Sequence, residues 1–192
     1  MFQNRHKTIY LTLPPILKKM KYEIDIYENN PNNSLRFLLG KSGKRPLFVI
    51  GLNPSTADES KPDRTITKTM RFAILNDFDG FIMLNLYPQR ATKPENLDKT
   101  FNQEYHSENL KIITSLSQKY AEINILSAWG ADILIRDYLK DCLKDIKKSI
   151  KNSNINWWQI GDLTKNGHPR HPSRAAYELG LKPMNIENYL LT

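Results

Sequence analysis

Cysteine is almost absent from this sequence: Cys142 is the only one in 192 residues. An intrachain disulfide is therefore excluded, and so is a zinc cluster built on several thiolates. Set on a predicted helix among apolar and basic neighbours, Cys142 reads as a packed thiol. Long apolar runs are missing as well. Met1 to Tyr10 is polar and basic, without the apolar stretch of a signal peptide, and no later run approaches the roughly twenty residues of a membrane span. A soluble, cytoplasmic protein with no membrane partner is the expectation. Acidic residues are few, 20 against 28 lysines and arginines, leaving a formal charge of +8. That balance favours an anionic partner such as DNA or a nucleotide, although net charge also governs solubility and nonspecific association. No internal repeat, low-complexity segment or linker divides the chain, and its length fits one domain. Oligomeric state is left open.

What is present is an alternation of strand and helix signals. Pro46 to Asp58, PLFVIGLNPSTAD, joins the most apolar short run to the most loop-like polar run. Leu47 to Ile50 suits a strand buried on both faces of a parallel sheet, while Gly51, Asn53 and Pro54 are turn formers that stop it abruptly. Ahead of it, Tyr22, Ile24 and Ile26 alternate with polar neighbours, Glu28 to Asn33 is turn-rich and Ser34 to Leu39 is apolar, predicting a hairpin. Lys18, Lys19 and Lys21 read as a solvated face. Beyond the loop, the pattern predicts a helix over Thr65 to Leu75 with Asp63 at its positive end, and a strand over Phe81 to Leu84 ending in Asn85. Thr100 and Gln103 resemble a capping box for the next helix. A third core strand over Ile123 to Leu126, a long helix over Ile133 to Ile150, a fourth strand over Ile155 to Ile160 and a short helix begun by Ser173 follow. Lys144, Lys147, Lys148 and Lys151 read as the polar side of the long helix.

The architecture this predicts is an α/β three-layer sandwich, with a parallel-centred sheet and an N-terminal β-hairpin at its edge. Residues 1–45 form the hairpin extension and 46–192 the core of a single domain. Asn53, Asn85, Trp129 and the pair His168 and His171 each follow a predicted strand, so a parallel sheet would gather them along one rim, where open α/β sheets bind ligands. Each alone has a plain explanation in turn or core structure; their joint occurrence favours a shared site.

Two resemblances attach to these residues. LNPSTAD at 52–58, DRTI at 63–66, NLYPQRATKPENL at 85–97, EN at 108–109, AWG at 128–130 and LTKNGHPRHPS at 163–173 together resemble a bacterial and phage family known as a domain of unknown function. That family shows an NL-x-x-x-RAT motif and a PRHP motif; Arg64 stands where it commonly has proline and Ser173 where it commonly has leucine. More distantly, the chain is similar to the uracil-DNA glycosylase superfamily. GLNPS resembles its water-positioning loop, IMLN at 82–85 its base-reading strand, ILSAWG at 125–130 a later strand end, and HPS at 171–173 its histidine loop.

The second resemblance implies a uracil-DNA glycosylase-like fold and hydrolysis of an N-glycosidic bond, to a natural or modified base, in DNA or a nucleotide. Asn53 stands where the most efficient members carry aspartate, and no aromatic directly follows the first loop. An asparagine can orient water but not take its proton, so Asp58 or Asp63 is the implied base. Asn85 would read the base edge and His171 would stabilise the departing base. Pro54, Ser55, Trp129, Gly130, His168 and Ser173 would contribute base or substrate contacts, and Arg90, Arg170 and Arg174 would hold phosphates. No metal or cofactor is called for. Two alternatives stay open: a nucleic-acid or nucleotide-binding module that has lost hydrolysis, and another small-molecule hydrolase or transferase on the same scaffold.

Overall fold

In the computed structural model, residues 20–150 and 154–191 are described. Met1 to Tyr10, Lys18, Lys19 and Lys151 lie outside the described residues. Seven strands are found among the described residues: β1 (Ile26–Asn29), β2 (Arg36–Lys41), β3 (Pro46–Gly51), β4 (Gly80–Asn85), β5 (Glu122–Ser127), β6 (Asn154–Ile160) and β7 (Leu181–Pro183). They form one sheet in the order β1-β2-β4-β3-β5-β6-β7. The central four, β4, β3, β5 and β6, are mutually parallel. The hairpin β1–β2 adds antiparallel strands beside β4, and β7 closes the other edge antiparallel to β6.

Among the described residues, four α-helices, α1 (Arg64–Leu75), α2 (Gln103–Ser117), α3 (Tyr138–Ser149) and α4 (Ile186–Leu191), accompany the sheet. The period-two geometry of β3 explains their division between its faces. Leu47 and Val49 pack with Ile66, Met70 and Ala73 of α1. Phe48 and Ile50 point the other way, into a core shared with Ile113 and Leu116 of α2 and Leu139, Leu143 and Ile146 of α3. All four β3 side chains are buried, and each such burial stabilises the fold by about 1.5 to 3 kcal/mol.

Connectivity fixes where a ligand can enter. From β3 the chain crosses to β4 on one side, then returns past β3 to β5 on the other. The connections leaving β3 and β5 therefore diverge, opening a crevice beyond their carboxyl ends.

Several predicted elements differ in detail. Tyr22 and Ile24 precede the first strand, which begins at Ile26. Asn102, rather than Thr100, caps α2 by accepting from the backbone N–H groups of Glu104 and Tyr105. The helix expected over Ile133 to Ile150 is broken into a 3-10 turn at Ala131–Ile135 and α3. Arg136 separates them: its Nε donates to the Leu97 and Asp98 carbonyls, 3.1 Å each, while its backbone is held extended. The final helix expected from Ser173 is two 3-10 turns, Pro172–Arg174 and Tyr177–Leu179, because the His171 side chain caps the first and Ala175 and Ala176 are extended. No described helix is long and apolar enough to cross a membrane.

Candidate active site at the carboxyl ends of β3 and β5

The loop leaving β3 is stitched to the loop leaving β4. Leu86 N–H donates to the Gly51 carbonyl at 2.9 Å, Tyr87 to Leu52 at 3.1 Å, and Ala91 to Pro54 at 2.9 Å. Asn109 of α2 anchors the same corner, its Nδ2 donating to the Asn85 carbonyl at 3.0 Å. This gives the EN motif at 108–109 a structural role. The Asn53 amide fits into the corner: its Nδ2 donates to the carbonyls of Pro54 and Ala91, 2.8 Å each. With both N–H groups so directed, the orientation of the carboxamide is fixed, and Oδ1 is its acceptor for a ligand or water.

Asn53 lines a cavity of about 290 Å³. Its walls also include Asp63 and the first turn of α1, Trp129 and Asp132 after β5, and His171, Ser173 and Arg174 from the loop after β6. Asp63 is the N-cap of α1, accepting through Oδ1 from Ile66 N–H at 2.9 Å, which leaves Oδ2 unused by the cap. Lys68 of α1 donates to the Ala175 carbonyl and lies over the Tyr177 ring, 3.9 Å from its centroid. That clasp holds the His171 loop against the helix that carries Asp63.

His171 has a defined tautomer. Its Nδ1 accepts from Ser173 N–H at 3.3 Å and lies 2.8 Å from Ser173 Oγ. A backbone N–H can only donate, so the neutral ring carries its proton on Nε2. Burial, with Arg174 adding to it, lowers the His171 pKa from its ordinary 6.5, against the opposite pull of Asp132 and Asp63. Because the unfolded chain then takes up a proton more readily, the stability contributed by neutral His171 is complete above pH 6.5 and is lost as pH falls through the lower folded value. His168 acts in the same direction, lowered by burial and Lys140. Urea unfolding at pH 7.5 and at pH 5 is expected to show a lower midpoint in acid, and His171→Gln is expected to narrow the gap.

Gly130 makes the close approach between the β5 exit and this histidine. Its backbone adopts φ 67°, ψ −166°, a region open essentially to glycine alone. A β-carbon there would lie 3.6 Å from His171 Cβ, so backbone strain rather than a clash sets the penalty. Gly130→Ala is expected to destabilise the protein by about 1 to 3 kcal/mol, read from the shift of a denaturant midpoint.

Not every residue singled out by the sequence reaches the cavity wall. Asn53, Ser55, Asp63, Trp129, His171, Ser173 and Arg174 line it. The Trp129 side chain is fully buried in the core, its Nε1 donating to Tyr189 Oη at 3.0 Å. Pro54 is buried and serves through its carbonyl. Asn85 is fully buried and does not line the cavity; in the amide orientation that satisfies its neighbours, its nitrogen donates to the Leu84 and Asn53 carbonyls, 3.2 Å each, bracing the loop. Asp58 closes its own turn through Ser60 and Lys61, contacts that also lower its pKa. His168 lies on a separate cavity, its Nδ1 3.0 Å from Tyr189 Oη. Arg90 braces the β3 loop through the Ser55 and Ala57 carbonyls and Tyr27 Oη, and Arg170 donates to the Asp162 carbonyl.

The most informative cavity residue was not foreseen from the sequence. Arg36, in β2, is 2 % exposed and lines the cavity. An arginine inside the otherwise apolar run Leu35 to Gly40 was the available signal. With Arg64 and Arg174, it gives the walls three arginines against the aspartates 63 and 132.

The chain is an α/β protein with a mixed seven-stranded sheet, parallel at its centre, and its cavity lies at the topological switch point, where open α/β sheets commonly bind ligands. Residues 36–173 match the family described as "Protein of unknown function (DUF1643)", and the chain belongs to that family. No curated protein and no solved structure matches the chain.

Proposed function

We propose that the cavity is the active site of a uracil-DNA glycosylase-like hydrolase that cleaves an N-glycosidic bond in a nucleotide or in DNA. The observation that carries the reading is the convergence of Asp63, Asn53 Oδ1 and a neutral His171 with its proton on Nε2 in one small cavity. Asn53 Oδ1 orients a water molecule, and the Asp63 carboxylate takes its proton as the water oxygen attacks C1′ of the sugar. The C1′–N bond breaks with its electron pair passing to the base. His171 Nε2–H donates to the oxygen on which that charge develops, and solvent protonates the departed base. Products are a free base and a sugar with a C1′ hydroxyl.

Asp63, which lines the cavity, takes the role of base in preference to Asp58, which does not and whose Oδ1 closes its own turn. Recognition of the base falls to the cavity wall rather than to Asn85.

Chromatography of free bases released from a panel of nucleoside monophosphates and of oligonucleotides carrying natural and modified bases tests the reading. Release of at least one base, dependent on Asp63, supports it. Absence of release from every substrate, alongside binding that is retained, replaces it with the binding-module alternative.

A further inference from the structure

Arg36 is a buried cation with little to occupy it. Of its five N–H donors, one Nη1–H reaches the Ala57 carbonyl at 2.9 Å; Nε is buried without a hydrogen-bond partner, and no ion pair forms to the guanidinium among the described residues. Bracing Ala57 does not explain its presence, since Arg90 Nη1 donates to the same carbonyl at 3.2 Å. Its surroundings are unfavourable to charge. Burial, and after it the neighbouring Arg90, push its pKa down to about 10, outweighing the opposite pull of Asp63. The side chain is still a cation at neutral pH, held in the wall of an open cavity with no carboxylate in ion-pair contact among the described residues.

A second donor set faces the same space. Arg64, Thr65 and Ile66, the first residues of the twelve-residue helix α1, line the cavity. Asp63 Oδ1 takes the N–H of Ile66 and its carbonyl that of Thr67. Neither cap bond uses the backbone N–H groups of Arg64 and Thr65, which stand at the positive end of the helix dipole. Arg64 and Arg174 are exposed at the mouth.

We propose that Arg36 and the first turn of α1 form an anion subsite for the terminal phosphate of a nucleotide-type ligand. The inference rests on the glycosidic reading for the remainder of that ligand, and it chooses a mononucleotide over polymeric DNA. A phosphodiester inside a strand has two ester oxygens and a single negative charge, so it presents only two oxygens to the guanidinium and the helix N–H groups. A terminal phosphate has one ester link and presents its remaining oxygens to a guanidinium fork.

Calorimetric titration at fixed ionic strength tests the subsite with four probes: inorganic phosphate, a nucleoside 5′-monophosphate, the matching nucleoside, and a single-stranded oligonucleotide without terminal phosphates. The monophosphate is expected to bind at least about tenfold more tightly than the nucleoside, and Arg36→Gln is expected to abolish that preference. Equal binding of monophosphate and nucleoside, equal binding of the oligonucleotide and monophosphate, or a preference surviving Arg36→Gln would overturn the proposal. Should Arg36→Gln not fold, the 15Nε resonance of Arg36 in the unaltered protein decides. A shift on adding monophosphate but not nucleoside supports the subsite, and no shift overturns it. Base release is scored separately: a phosphate preference carried by Arg36 without base release leaves the subsite standing and removes the hydrolase, whereas base release from DNA with no such preference does the reverse.

Discussion

Asp63→Asn is expected to lower turnover by about a hundred- to ten-thousandfold while leaving the fold intact, the range associated with loss of a positioned general base. Asparagine is as good an N-cap as aspartate, so the bond from Ile66 N–H survives and α1 starts where it did. The lost negative charge at the helix start lowers stability by about 0.3 to 1 kcal/mol. An amide can still hold water but cannot accept its proton at neutral pH. The expected pattern is therefore a collapse in kcat with KM nearly unchanged, measured by steady-state base release. A variant with unaltered turnover would remove Asp63 from the chemistry.

His171→Ala is expected to reduce kcat by about a hundred- to a thousandfold, the effect of deleting one preorganised donor to a developing oxyanion. Ser173→Ala provides the contrast. It removes the hydroxyl near Nδ1 but keeps the backbone N–H that fixes the tautomer, so Nε2 still carries its proton and most activity is retained. Equal losses from the two substitutions would mean that the loop, rather than the imidazole proton, sets the rate.

The legible parts of the fold were those written locally. Leu47 to Ile50 is apolar on alternate sides because both faces of β3 are covered, and the turn formers after it mark the strand's carboxyl end. Placing Asn53, Trp129 and His171 beside one another required only that β3, β5 and β6 be parallel, which the intervening helices imply. Less legible was the direction of each polar group. Asn85 pairs with Gly51 across the two strands, and its amide is drawn under the loop by the Asn53 carbonyl, a non-local contact that no strand-end pattern reveals.

Arginines posed the same difficulty. In sequence, Arg90 and Arg170 look like phosphate ligands, yet backbone carbonyls take up their guanidinium groups, whereas Arg36 reads as one charge in an edge strand and lies buried on the cavity wall. Burial of a charge depends on what the fold brings over it. Arg136 likewise ends a 3-10 turn by reaching the distant Leu97 carbonyl, so apolar periodicity alone overextended that helix.

The most direct measurement is a crystal structure of the Asp63→Asn protein with a nucleoside 5′-monophosphate bound. The account predicts C1′ beside the substituted side chain and Asn53 Oδ1, a base oxygen within about 2.7 to 3.1 Å of His171 Nε2, and the phosphate on Arg36 and the first turn of α1. A nucleotide bound elsewhere, or bound in this cavity with its base remote from His171 and its glycosidic bond away from residue 63, would contradict it.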